Sequence, residues 1–180
     1  MKKRVLCLLA DGFEELELVA PVDLLRRAGA EVVLAGLTDA PDVTGRNGIV
    51  LHPDVPLSRV VEEDFDLLLL PGGPAVETLR RDGRVAELAR RQVVSGRRVG
   101  AICAAPLLLH DAGLLEGKRF TAHFSVLHEL PEAQTGERVI EDGLLITSRG
   151  AGTALEFGLA LVDRLFGETV EEEISRSIMA

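Results

Sequence analysis

Cysteine is scarce in this sequence. Only Cys7 and Cys103 occur among 180 residues, with no Cys-x-x-Cys pair, which excludes a disulfide framework and a thiolate zinc site. A reducing cytoplasm is the compartment such usage predicts. Positive charge is also in deficit. Against 29 Asp and Glu stand 20 Lys and Arg, for a net charge of −9 and a pI near 5.0, which argues against nucleic-acid backbones and anionic membranes as partners. Long apolar runs are missing as well. The basic start Met1-Lys-Lys-Arg4 leads into the apolar run from Val5 to Ala10, which stops at Asp11-Gly12. That is too short for a secretory signal, and far below the roughly 20 apolar residues of a bilayer span. Repeats, low-complexity tracts and linkers are absent too. With 47% hydrophobic residues, residues 1–180 read as one domain around one core.

What is present is alternation. Short apolar runs at Arg4 to Ala10, Glu31 to Ala35, Leu67 to Leu70 and Arg98 to Ile102 read as buried strands beside turn signals. Helical patterns lie between them. Glu14 to Ala28 carries Leu16, Val19, Ala20 and Leu24 at helical spacing and stops at Gly29; Arg80 to Ser95 carries Val85, Leu88, Ala89 and Val93 and stops at Gly96. Thr153 to Phe166 and Val170 to Met179 add two more. Hairpins are predicted at Arg46-Asn47-Gly48 and Glu141-Asp142-Gly143, where Asn-Gly and Asp-Gly supply the positive φ of tight turns. The pattern predicts an α/β fold with a mostly parallel sheet covered by helices on both faces.

In such sheets ligands gather beyond the carboxyl ends of the strands. Cys103 falls there, in Val99-Gly-Ala-Ile-Cys-Ala-Ala-Pro106, with Pro106 suited to the first turn of the next helix. At a helix N-terminus a thiolate is favoured and its pKa lowered; a free cysteine is equally often a small packing residue, and Cys7, mid-strand, is read as one. After Leu67 to Leu70 comes Pro71-Gly72-Gly73-Pro74, a turn whose bare amides can hold an oxyanion. After the first strand, Glu14 and Glu15 are read as solvated first-turn acids. Glu17 sits among Leu16, Leu18 and Val19, where desolvation raises a carboxyl pKa.

Four motifs together carry a resemblance over nearly the whole chain. "DGFEELELVAPVDLLRRAG", "LLLLPGGP", "GAICAAP" and "LITSRGAGTALEFGLALV" stand in the order and approximate spacing of the ThiJ/PfpI superfamily, and are most similar to its parkinsonism-associated deglycase branch. The resemblance implies a flavodoxin-like three-layer sandwich, akin to class I glutamine amidotransferases. It implies Cys103 as the reactive residue, Glu17 as its hydrogen-bonding acid/base, His123 as a nearby histidine, and Gly73 and Ala104, with Gly72 beside them, as the anion-holding turn. It also implies a homodimer acting on methylglyoxal and related α-oxoaldehydes, or on their early protein adducts, with no metal, flavin or glutathione. Oxidation of Cys103 in a stress sensor or a chaperone-like protein is the alternative, and peptidase or amidotransferase chemistry stands behind it.

Some positions depart from the pattern. Ala104 stands where peptidase-like members carry histidine, Ala105 where glycine is common, and Phe124 where the nearest branch has proline. His52, His110 and His128 lack ligand spacing and read as surface or packing residues. Arg149 reads either as an anion holder or as half of a structural ion pair, and Arg26-Arg27 as a solvated helix face.

Overall fold

The computed structural model describes residues 2–180. In chain order the elements are β1 (Arg4–Leu9), α1 (Glu15–Arg27), β2 (Glu31–Gly36), β3 (Val43–Thr44), β4 (Val50–Leu51), β5 (Val55–Pro56), α2 (Leu57–Val60), β6 (Leu67–Leu70), α3 (Ala75–Arg81), α4 (Gly83–Val94), β7 (Arg98–Ile102), α5 (Pro106–Asp111), β8 (Val139–Asp142), β9 (Leu145–Ser148), α6 (Ala154–Phe166) and α7 (Glu168–Ser177). Seven strands form one sheet in the order β5-β2-β1-β6-β7-β9-β8. Every pair in it is parallel except β8 with β9. This is the flavodoxin-like arrangement, with both predicted hairpins in place: β3–β4 turns at Asn47-Gly48 and β8–β9 at Gly143, the two glycines at φ +88° and +63°.

Burial on both faces explains the composition of the central strands. All four leucines of β6 are fully buried, as a parallel strand between helical layers requires. On one side α1, α6 and α7 pack together, and on the other α3, α4 and α5. Two glycines permit close packing of α6. A Cβ on Gly100 of β7 would lie 3.1 Å from Phe157, and one on Gly158 would lie 2.6 Å from Leu24 and 3.0 Å from the Pro21 backbone. Cys7 is sealed within β1, where burial pushes its thiol far up from the ordinary value.

Two helix expectations are corrected. The pattern read as one helix from Arg80 to Ser95 is the end of α3 followed by α4. Asp82 breaks them with an extended backbone and caps α4 by accepting from the Arg84 N–H at 3.1 Å. In α1 the buried stripe is Leu18, Val22, Leu24 and Leu25, while Leu16 is 60% and Val19 46% exposed. The helix lies between the sheet and α6, so its covered face is rotated from the one the spacing suggested, and the Leu16–Val19 stripe faces outward. Among the described residues no helix is long and apolar enough to cross a membrane.

Candidate active site

Sheet order reverses between β1 and β6: the chain moves from β1 outward to β2, then returns to the other side of β1. At such a switch point the loops leaving adjacent strands part and open a crevice. Three of those loops build the site. The loop after β1 leads into α1 and Glu17, the loop after β6 is Pro71-Gly72-Gly73, and β7 ends at Cys103.

Cys103 has φ 66°, and among the described non-glycine residues only it and Met179 hold a positive φ. A left-handed backbone costs a β-substituted residue on the order of 1–3 kcal/mol. Neighbouring bonds hold it there, since the Cys103 N–H donates to the Ser148 carbonyl at 2.8 Å and its own carbonyl accepts from the His123 N–H at 2.8 Å. The sharp turn leaves Cys103 8% exposed, on the wall of the same cavity as Glu17, Gly73 and Ala104.

Glu17 is 1% exposed. Its Oε2 accepts from the Gly72 N–H at 2.9 Å, and its backbone N–H donates to the Glu14 carboxylate at 2.9 Å. Gly72 therefore serves Glu17 and does not face the cavity as an anion donor, the role expected beside Gly73. Its missing side chain is as important as its amide. A Cβ there would lie 2.5 Å from Glu17 Oε2 and 2.6 Å from Cys103 Cβ. Gly73, at φ +89°, leaves no room either, with Gly12 O 2.5 Å from a Cβ.

Burial governs both ionisable groups. It pushes Glu17 up to about 7, assisted by the Glu14 charge and opposed by the Cys103 and Gly72 hydrogen bonds and by Arg46. It pushes the Cys103 thiol up to about 12, assisted by the charge and hydrogen bond of Glu17 and opposed by the Gly73 and Ala104 amides. The helix end alone predicted a lowered thiol pKa; desolvation and the adjacent carboxylate outweigh it. Each charge opposes the other, so the pair gains one negative charge as pH rises through about 7 and no second one near neutrality. When Glu17 holds the proton, its repulsion disappears and its O–H donates to the sulfur, so the thiolate is favoured in that form alone.

Glu14, Arg46, Pro74, His123, Ser125 and Ala151 complete the wall of a cavity of about 340 Å³. His123 Nδ1 accepts from the Ser125 N–H at 3.3 Å and meets Ser125 Oγ at 2.8 Å, so the neutral ring carries its proton on Nε2. Burial and the Arg46 charge lower its pKa, which keeps the ring neutral at pH 7. A neutral Nε2–H is a donor, not a base.

Sequence reasoning missed Arg46 and the two acids before it. Glu14 and Glu15 are 7% and 5% exposed rather than solvated, because the β3–β4 hairpin folds over the start of α1. Glu15 accepts from the Asn47 N–H at 2.7 Å and Asn47 Nδ2 at 2.9 Å. Burial would raise Glu15, yet these amides hold it below the usual carboxylate range. The clamp fixes the hairpin so that Arg46, whose N–H donates to Phe13 O at 2.9 Å, lines the cavity. The Asn-Gly turn was legible, but not where it would dock. His52 pairs with Asp42, His128 approaches Glu129, and Arg27 pairs with Asp23 on an exposed face.

A cysteine with a left-handed backbone at a strand end and a buried glutamate line one cavity at the switch point of a flavodoxin-like sheet. The chain belongs to the DJ-1/PfpI family, whose model matches residues 3–164. It is 38% identical to protein DJ-1 homolog B of Arabidopsis thaliana over 98% of this chain and 41% of that protein. It is 36% identical to the glutathione-independent glyoxalase DJR-1.2 of Caenorhabditis elegans, over 92% of this chain and 90% of that one. The crystal structure of Drosophila melanogaster DJ-1beta superposes with a TM-score of 0.96 at 36% identity, covering 100% of this chain and 99% of that one. The chain thus spans less than half of the Arabidopsis protein and nearly all of the other two.

The raised Glu17 has a measurable signature. A carboxyl whose folded pKa exceeds its unfolded value stabilises the fold at low pH, and that contribution is lost as pH rises from the ordinary 4.5 to about 7. Relative to Glu17→Gln, which does not titrate, the wild type loses up to about 3 kcal/mol between pH 4.5 and 7 and then levels off. Chemical denaturation of both proteins at pH 4.5, 6 and 8 reads this directly. Parallel stability curves would show that Glu17 is not raised.

Proposed function

We propose that the protein is a glutathione-independent glyoxalase acting on methylglyoxal and related α-oxoaldehydes, with Cys103 as nucleophile and Glu17 as acid/base. The observation that carries this reading is the convergence of the buried Glu17 carboxyl and the Cys103 side chain over the bare Gly72, whose amide fixes the carboxyl. Nucleophile and proton carrier then lie beside one reacting carbon. The relationship to the Caenorhabditis elegans glyoxalase supports it.

The chemistry balances without an oxidant. The thiolate adds to the aldehyde C1, the carbonyl electron pair moves to oxygen, and the Gly73 and Ala104 amides steady that charge until Glu17 protonates it. The Glu17 carboxylate then removes the C1 proton from the hemithioacetal. The electron pair forms the C1–C2 double bond of an enediolate, whose C2 oxyanion is steadied by a hydrogen bond from His123 Nε2–H. Glu17 returns its proton to C2 and the C1 hydroxyl passes its proton to the C2 oxygen, leaving a lactoyl thioester on Cys103. Water cleaves the thioester, restoring the thiol and releasing lactate; the net change is methylglyoxal plus water to lactate. Hydrolytic release of early methylglyoxal adducts from protein side chains is the related deglycase activity of the same thiol.

One observation also favours a second reading. The Gly73 and Ala104 amides and a protonated Glu17 surround the sulfur, an environment that suits a sulfinate formed by peroxide, as in an oxidative-stress sensor. Lactate formation from methylglyoxal, without glutathione or added metal, separates the two. The wild type turns over, and Cys103→Ser and Glu17→Gln each lose at least about 100-fold with an unchanged far-UV spectrum. A wild type that forms no lactate while Cys103 becomes a sulfinate under mild peroxide would overturn the enzyme in favour of the sensor.

The active form is proposed to be a homodimer. Leu16, Val19 and Leu155 are exposed to 60%, 46% and 44% and form one shallow apolar face with Ile178, which a second copy of the chain would cover. Sedimentation velocity is expected to give a dimer for the wild type and a monomer for Leu16→Glu/Val19→Glu. A wild-type monomer at micromolar concentration would refute it.

A further inference from the structure

Arg149 follows directly on the strand residue that holds the cysteine. Ser148, the last residue of β9, accepts the Cys103 N–H, so the chain beyond it leaves the sheet beside the nucleophile. Here a second cavity opens, of about 470 Å³, lined by His123, Thr135, Arg138, Arg149 and Thr153 among others. It shares His123 and Ala151 with the cavity of Cys103. The two spaces adjoin across one imidazole ring.

The charges in this second cavity do not cancel. Arg138 is neutralised, donating to Glu156 at 2.6 Å and to the Gly152 carbonyl at 2.9 Å. Arg149 instead donates to the uncharged Thr135 carbonyl at 3.1 Å, which orients the guanidinium without compensating its charge. A fork of N–H donors held in that way fits a carboxylate or a phosphate. Of the two sequence readings of Arg149, the anion holder is the one its partner favours. Size points the same way, because cavities of roughly 300–1,000 Å³ enclose ligands much larger than a three-carbon aldehyde.

We propose that this cavity is a substrate subsite in which Arg149 binds the anionic tail, carboxylate or phosphate, of an α-oxoaldehyde whose carbonyl end lies at Cys103. The proposal rests on the glyoxalase reading of Cys103 for its reaction, though not for binding. The preferred substrates are then longer, charged α-oxoaldehydes, and methylglyoxal fills only the cysteine end.

Kinetics with three aldehydes test it: methylglyoxal, 4,5-dioxopentanoate with a carboxylate tail, and 2-oxo-3-phosphooxypropanal with a phosphate tail. The wild type is expected to show a KM at least tenfold lower for one or both charged substrates, and the better one identifies the anion. Arg149→Gln raises that KM about tenfold or more while leaving methylglyoxal kinetics unchanged, and Arg149→Lys restores part of the difference. No preference for either charged aldehyde, or a loss in Arg149→Gln that is equal for all three, overturns the subsite. Calorimetric binding needs no turnover. 2-Hydroxyglutarate or inorganic phosphate binding more tightly than lactate, and weakened by Arg149→Gln, supports the subsite even if methylglyoxal is not turned over and the glyoxalase reading falls. No binding of either anion by the wild type overturns it.

Discussion

Glu17 and Cys103 are two buried acids that converge over Gly72, and around neutral pH they hold at most one negative charge between them. Burial penalises charge on each, and charge on either penalises it on the other. The remaining proton lies between a carboxyl and a sulfur. Its two positions correspond to an idle thiol and a nucleophile already beside its own acid. The surrounding structure can be understood as what keeps this pair in contact. Gly72 has no side chain because one would strike both members, and its amide holds the carboxyl. The left-handed backbone of Cys103 brings the sulfur to the Gly73 and Ala104 amides, and the bonds to Ser148 and His123 maintain that conformation.

The fold supplies the convergence. Residues from the loops after β1, β6 and β7 meet because these strands are adjacent in the sheet and the chain reverses direction across β1. Rigid, fully buried strands fix the loop ends, and the loops carry the chemistry. A second tier of contacts reaches further from the sulfur. Glu15 clamps the β3–β4 hairpin so that Arg46 faces the pocket, where its charge moderates Glu17 and adds to the burial that lowers the His123 pKa. The positive charge near the thiol is thus held by a buried carboxylate that never touches it, in a chain whose net charge is −9.

Local sequence made the frame legible. β6 and β7 span the ranges their sequence runs predict, with Pro71 closing the first and Gly96 standing just before the second. Glu17 and Cys103 were also legible, one as an acid among apolar neighbours and the other as a thiol at a strand end. Tertiary placement was not. Nothing near Glu14 and Glu15 signals that a hairpin some thirty residues on will bury them, and an Asn-Gly turn does not reveal where Arg46 docks. The Asp82 break lay hidden within a helical pattern, since a cap in mid-sequence leaves the apolar spacing intact on both sides. The thiol's pKa was misjudged for a related reason: the helix end is visible in sequence, whereas desolvation and the facing carboxylate exist only once the chain has folded.

The shared proton is tested most directly by the rate of Cys103 alkylation with iodoacetamide from pH 5 to 10, followed as mass of the labelled peptide, in the wild type and Glu17→Gln. If one charge is shared, the wild-type rate rises through a single ionisation near pH 7 and is then level to pH 10. In Glu17→Gln that step disappears. An ordinary thiol profile, rising through about 8.5 in both proteins alike, would contradict the account.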